Sequence, residues 1–218
     1  LPQGKHYDYE VTANVAAVFA QFDYPATDRL DLSLGLRGEQ VRYDYDNRMI
    51  AGRTQDDGTP CGFGGCRYTR PGDRKDNFTN VSPKAGFSLA FGAQILFGQV
   101  SQGFRAPQAT ELYRLQNGQV LAEIDSESVD NIELGLRGDG DRFRYQISVY
   151  RMRKDNFIFQ DTSRNNVDNG KTRHQGLELE ASFALNDQTS VSAAWTLASH
   201  RYDNNPALAR TEIKGNDI

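Results

Sequence analysis

The residues with most to offer chemically lie between Asn47 and Lys75. This stretch carries Arg48, Arg53, Arg67, Arg70, Arg74 and Lys75, with Phe63 and Tyr68 among them and Cys61 and Cys66 near its centre. Guanidinium forks match carboxylates, and aromatic rings attract cations and stack on conjugated groups, so the combination suits an anionic ligand that carries conjugated rings. Arg53, Arg67, Tyr68, Arg70 and Arg74 are the candidate ligand contacts. Asp56, Asp57, Asp73 and Asp76 lie in the same stretch and dilute its positive character. The two cysteines bracket Gly62-Phe63-Gly64-Gly65, a loop short and pliable enough to bring their Cα atoms within the ~7 Å that a bridge requires. Two thiols are only half a zinc site, and His6, His174 and His200 are scattered far from them. A disulfide-closed loop is therefore expected, which places the chain in an oxidising compartment.

Catalytic arrangements are not found. The sequence has no Gly-x-Ser-x-Gly, no Gly-x-Gly-x-x-Gly, no phosphate-cradling loop ending in Lys-Ser/Thr and no His-Glu-x-x-His. His174 and His200 flank neighbouring predicted strands and are the only candidates for a Ser/His/Asp set assembled across strands, although a rim histidine is the plainer account of each. Asp44-Tyr45-Asp46-Asn47 is a weak calcium motif. No catalytic residue, metal or cofactor is expected.

The elements that must position these residues are strands. Period-two alternation recurs along the chain: Leu30, Leu32, Leu34 and Leu36 oppose Asp31, Ser33, Gly35, Arg37 and Glu39, and Phe143, Tyr145, Ile147 and Val149 oppose Arg142, Arg144, Gln146 and Ser148. The same grammar covers 81–91, 131–137, 176–185 and 190–197. Two further segments, about 10–24 and 93–104, are strand-like with weaker phase, because Ile95-Leu96-Phe97 is apolar on both faces. That makes about eight strands. Their connections alternate as well. Tight turns fall at 25–29, near Gly92, at 138–141 and at 186–188, and long polar loops at about 46–80, 105–126, 156–171 and from Asp203 onward. An antiparallel up-and-down meander with every long loop at one end is the layout of an outer-membrane barrel, with short periplasmic turns and long extracellular loops. Tyr7, Tyr9, Tyr24, Tyr43, Tyr45, Phe157, Phe159 and Tyr202 cluster at strand ends, where interfacial aromatic girdles would lie. Leu34-Gly35-Leu36-Arg37-Gly38 is echoed at Leu134-Gly135-Leu136-Arg137-Gly138, and the placement of the turns gives these two strands opposite directions.

Composition agrees with this layout. The 218 residues include 25 Lys and Arg against 29 Asp and Glu, and a formal charge of −4 argues against a general nucleic-acid binder. A mean hydropathy of −0.67 would ordinarily describe a water-soluble domain. No apolar run approaches the ~20 residues of a membrane helix, yet a barrel built of alternating strands and wet loops has the same hydrophilic average. The start, Leu1-Pro2-Gln3-Gly4-Lys5, has no basic segment followed by an apolar one and so does not read as a signal peptide.

Three motifs resemble a known family. Gly103-Phe104-Arg105-Ala106-Pro107, followed by Glu111-Leu112-Tyr113, is similar to a signature in the barrels of TonB-dependent outer-membrane receptors. Glu127 to Arg137, with Asn131, Glu133 and Gly135, resembles the family's Glu-x-x-x-Asn-x-Glu-x-Gly strand. Asn169 to Glu180, with Gly176 and Glu178, resembles its Asn-x-Gly … Gly-x-Glu strand. The resemblance implies a piece of a roughly 22-stranded plugged barrel, from the later half of the barrel domain over residues 1–218, with no plug domain and no TonB-contacting box. It implies residence in the outer membrane of a Gram-negative bacterium, against outer-membrane lipid, and uptake of a ferric siderophore or similar scarce ligand with energy from the TonB complex. Arg105 and Glu111 are expected either to pair or to serve the lumen and plug, with Pro107 ending a strand and a helical turn within 109–115. Arg37, Glu39, Glu133, Arg137, Arg142, Arg144, Glu178 and Glu180 would face the lumen. Two other architectures fit the alternation: a small autonomous barrel enzyme with its chemistry at the rim, and a soluble β-sandwich binding module.

Overall fold

The computed structural model describes residues 5–116, 118–206 and 212–218. The sequence expectation for the first residues falls mainly on 1–4, outside the described set, as does part of the stretch after Asp203. Ten strands and one short helix are formed among the described residues: β1 (Tyr9–Thr27), β2 (Leu30–Asn47), β3 (Tyr68–Thr69), β4 (Arg74–Phe91), β5 (Gln94–Arg105), α1 (Ala109–Tyr113), β6 (Leu115–Gln116), β7 (Glu127–Asp139), β8 (Phe143–Gln160), β9 (Asn166–Asn186) and β10 (Thr189–Tyr202). Eight of the strands make one antiparallel sheet in the order β1-β2-β4-β5-β7-β8-β9-β10, so each long strand pairs with its neighbour in the meander. The sheet is open, with β1 and β10 as its edges. It is neither two packed sheets, as a sandwich requires, nor a closed small barrel; it is a single open wall of eight strands.

Register fixes which side chains share a face, because a one-residue slip would invert every strand. Leu32 and Leu34 stand opposite Phe87 and Ala85, Leu96 opposite Leu136, and Leu136 opposite Ile147. Ile147 and Val149 are in turn opposite Leu179 and Leu177, and Leu179 and Leu177 opposite Trp195 and Leu197. Among the described residues nothing packs against this continuous apolar face. Phe22, Leu34, Trp195 and Leu197 are each more than half exposed, as a lipid-facing wall demands. The other face carries Arg37, Glu39, Lys84, Glu133, Arg137, Glu178 and Glu180. Where Ile95-Leu96-Phe97 blurs the alternation, Leu96 points to lipid while Ile95 and Phe97 point inward. Phe97 lies over Gly135 on the adjacent strand and occupies the space a Cβ would need there. Tyr150 covers Gly176 in the same way, its hydroxyl 2.7 Å from where a Cβ would stand. The glycines of two family motifs are thus seats for inward aromatic rings.

The turns between β1 and β2, β4 and β5, β7 and β8, and β9 and β10 are all short, as expected. The connection at 106–126 has the length anticipated, while the other two long connections between wall strands are shorter. β4 already begins at Arg74, and β8 and β9 leave only 161–165 between them, not a loop spanning 156–171. Strands of up to 21 residues overshoot the ~10 needed to cross the membrane. Beyond it neither face is lipid, so the hydrophobic alternation that marks a strand fades. Asn156, at a φ of 56°, also marks the register shift that interrupts β8.

Candidate functional site

At the long-loop end, the connections 48–73 and 106–126 fold over the sheet rather than standing free. β3 and β6 pair the two loops directly. The Tyr7 hydroxyl donates to the carbonyl of Leu115 at 2.6 Å, and burial pushes that phenol up to about 12. Asn166 at the start of β9 donates to the Glu111 carbonyl at 2.7 Å. Under this lid lies a small core of Tyr45, Leu112, Tyr113, Leu115, Ala122, Ile124 and Ile158. Tyr45 stacks on Tyr113 with centroids 4.2 Å apart. The aromatics Tyr9, Tyr43 and Tyr45, expected in a lipid-facing girdle, belong to this core or pack against it. The parity of β2 turns Tyr43 and Tyr45 inward, together with Arg37 and Glu39. Tyr113 donates to Asp76 at 2.7 Å, and burial, reinforced by that carboxylate, holds its phenol well above the usual tyrosine range.

The Phe-Arg-Ala-Pro … Glu-Leu-Tyr motif is the fastening of this lid. β5 ends at Arg105, two residues ahead of Pro107, whose missing N–H cannot extend a ladder, and α1 follows. Gln108 and Glu111 form a capping box, with the Gln108 N–H donating to Glu111 Oε2 at 2.6 Å. Arg105 reaches Glu111 with two guanidinium nitrogens at 3.0 Å each, and donates from Nε to Glu127 Oε2 at 2.6 Å. Glu127 is 1% exposed, and it also takes Lys154 at 2.9 Å and the Ile158 N–H at 2.8 Å. One arginine therefore joins the end of β5, the loop helix and the start of β7. The expected Arg105–Glu111 pair is present, and the sequence reading missed its second partner.

The candidate ligand contacts separate into different roles. Arg70 is 1% exposed, its fork occupied by the carbonyls of Ile50, Thr54 and Gln55 and the hydroxyl of Thr54, with His6 O at 3.3 Å. Its cation also lies 5.4 Å from the Tyr68 ring centroid. Arg53 donates to the Cys66 carbonyl at 2.5 Å. Arg74 pairs with Asp76 on the inner face. Arg53 and Arg70 hold the loop together, and Arg74 belongs to the wall beneath it. Cys61 and Cys66 are disulfide-bonded, with Cα atoms 5.3 Å apart. Arg67 is exposed, while Tyr68 is buried and stacked on His6 at 4.5 Å. Arg67 and Tyr68 border a cavity of about 700 Å³ that His6, Tyr7, Phe63 and Arg164 also line. Arg164 and Gln116, from the other loops of this end, went unnoticed in sequence because nothing local marks them as neighbours of 61–68.

Among the lumen-facing charges, Arg37 pairs with Glu39 at 2.5 Å and Gln99 donates to Glu133 at 2.7 Å. Arg144 pairs with Asp139 close to the short turn. Asn131 and Glu133 sit in the inward row opposite Ser101 and Gln99. His174 and His200 are directly paired across β9 and β10, with Nδ1 atoms 2.8 Å apart, and His174 Nε2 lies 2.8 Å from Thr172 Oγ1. That set is not a Ser/His/Asp relay. Among the described residues no group of three or more His, Cys, Asp or Glu side chains is placed to hold a metal ion.

Comparison with known proteins agrees with this architecture. The family described as "TonB dependent receptor-like, beta-barrel" matches residues 2–218. Among curated proteins no relative matches. The siderophore receptor PiuA of Acinetobacter baumannii superposes with a TM-score of 0.72 at 17% identity, over 97% of this chain and 30% of that one. The ferric yersiniabactin uptake receptor FyuA of Yersinia pestis gives 0.71 at 17% identity, over 94% and 29%. The copper transporter OprC gives 0.67 at 20% identity, over 88% and 31%. The chain thus spans about a third or less of the length of these structures. With its eight-stranded wall, lipid-facing apolar surface and matching motifs, the chain belongs to the TonB-dependent receptor β-barrel family of the Gram-negative outer membrane.

Proposed function

We propose that this chain is part of an active-transport receptor that takes up a ferric siderophore or a similar scarce metal chelate. In this reading the TonB complex supplies energy through a plug and box carried elsewhere in the receptor. The observation that supports it most is the cavity at the extracellular mouth. Arg67 and Arg164 offer cations beside the rings of Phe63 and Tyr68, the pairing suited to an anionic chelate with aromatic arms. Arg53, Arg70 and the Cys61–Cys66 bridge then serve by holding that surface in shape, and Arg74 by anchoring the inner wall beneath it.

The test is radioiron uptake by an iron-starved strain whose only receptor is the complete form of this protein, offered a panel of ferric chelates. Uptake of one class, abolished without TonB, is expected. Replacing Arg67 and Arg164 together by Ala should weaken binding of that chelate without altering the folded barrel. Uptake of none of the chelates, or uptake indifferent to TonB, overturns the reading.

A further inference from the structure

The inner wall carries a row of soft donors that the transport reading does not use. Met152 on β8 stands directly opposite His174 on β9, and His174 directly opposite His200 on β10. All three share the inward parity of Ser148, Glu178 and Thr196, several residues above the apolar band and toward the extracellular mouth. Directly opposed residues hold their Cβ atoms roughly 4.5–5.5 Å apart, within reach of a methionine side chain and two imidazoles. We propose that Met152, His174 and His200 form a binding site for a borderline-to-soft transition-metal cation, copper foremost, on the wall of the barrel mouth.

Three features support this. The two Nδ1 atoms face each other at 2.8 Å, so a proton or a cation must lie between their lone pairs. Two ligands each about 2.0 Å from one metal ion, at a near-right angle, stand roughly that far apart. The far nitrogen of His174 is held by Thr172, a 3% exposed hydroxyl at 2.8 Å. With Thr172 accepting from Nε2–H, the lone pair of His174 is fixed at Nδ1, the arrangement that orients metal-binding histidines. Finally, two imidazoles and a thioether without a carboxylate select copper over magnesium, calcium or manganese. Lys154, a cation on this face, has its charge engaged by Glu127 at 2.9 Å and lies 4.6 Å from the Phe157 ring centroid. The inward orientation follows from the register. Only a role as a contact for metal passing through the mouth rests on the transport reading.

The complete receptor, purified in detergent, is titrated with copper sulfate and read by electron paramagnetic resonance and calorimetry. One tight Cu(II) per receptor is expected, with nitrogen superhyperfine structure from two imidazoles. His174→Gln and His200→Gln should each weaken it by about tenfold or more, and Met152→Leu should selectively weaken Cu(I), measured against a competing Cu(I) chelator. The spectrum of the unaltered receptor tests the site even where a variant fails to fold. Absence of a two-nitrogen signal, or equal copper binding by folded His174→Gln and His200→Gln receptors, overturns the proposal. Neither outcome depends on which chelate the receptor imports, so failure here is distinct from failure in the uptake assay.

Discussion

Replacing Arg105 by Ala tests whether the signature motif is a fastening. The substitution removes two contacts to Glu111 and one to Glu127, a carboxylate with 1% of its surface exposed. Breaking one partner from a buried ion pair costs about 3–5 kcal/mol. Here Lys154 and the Ile158 N–H remain on Glu127, and the Arg105 side chain is 38% exposed, so screening reduces the loss to roughly 2–3 kcal/mol. That energy holds the loop lid, not the lipid-embedded wall. It should therefore appear as easier local opening of 106–126, with amide exchange roughly 30- to 150-fold faster, while the barrel's own unfolding midpoint hardly moves. Exchange mass spectrometry on the complete receptor reads both. A double-mutant cycle with Glu111→Gln adds a sharper check, since residues acting as one network should be non-additive. Unchanged protection of 106–126, or strictly additive single effects, refutes the fastening account.

Other substitutions test separate parts of the structure. Leu34→Arg, on the lipid face, should destabilise the barrel by about 2–4 kcal/mol, whereas Ser33→Arg on the lumen face should cost far less; urea unfolding in lipid vesicles compares them. Gly135→Ala collides with Phe97 and with the Ile147 carbonyl behind it, so it should lose about 1–3 kcal/mol, partly recovered by adding Phe97→Leu. Serine at Cys61 and Cys66 frees a six-residue loop worth about 2 kcal/mol in chain entropy, and protease nicking should rise within 48–73 only. The bond from Tyr7 to Leu115 needs the neutral phenol. Burial raises the folded value to about 12, so its contribution is intact below the ordinary tyrosine range and is lost as pH climbs toward that value. Tyr7→Phe should remove this alkaline sensitivity of lid exchange.

Six of the eight wall strands were clearly phased in the sequence, because lipid on one side and a polar lumen on the other impose a period of two; the segments 10–24 and 93–104 were strand-like with weaker phase. Legibility ended where that asymmetry ends. Above the membrane the strands continue through Asn47, Arg74, Gln160 and Asn166 with both faces wet or covered by protein, and there the sequence suggests loops. Tyr43 and Tyr45, among the aromatic residues at strand ends, were misread for a related reason. Tyr43 and Tyr45 have inward parity, but strand ends are also where girdles belong, and only the loop folded over them shows what they pack against. Arg70 reads in sequence like its neighbours in a cationic loop. Its burial among backbone carbonyls follows from the path of 50–55, which no local pattern encodes.

The recognisable residues and the residues proposed to read the ligand are consequently different sets. Phe104, Arg105, Ala106, Pro107, Glu111, Leu112 and Tyr113 end a strand, cap a helix and tie it to Glu127 and to the core under the lid; Gly135 and Gly176 seat inward rings. These demands arise from a wall whose loops close over its mouth, and nothing in them depends on the identity of a ligand. What can vary with the ligand is the rim of the cavity, where Phe63, Arg67 and Arg164 project without being needed by the wall. A variant with this rim exchanged for that of another receptor should keep its barrel and lid exchange rates while changing the chelate it binds. If the exchange instead loosened 106–126, fastening and recognition would be one network rather than two.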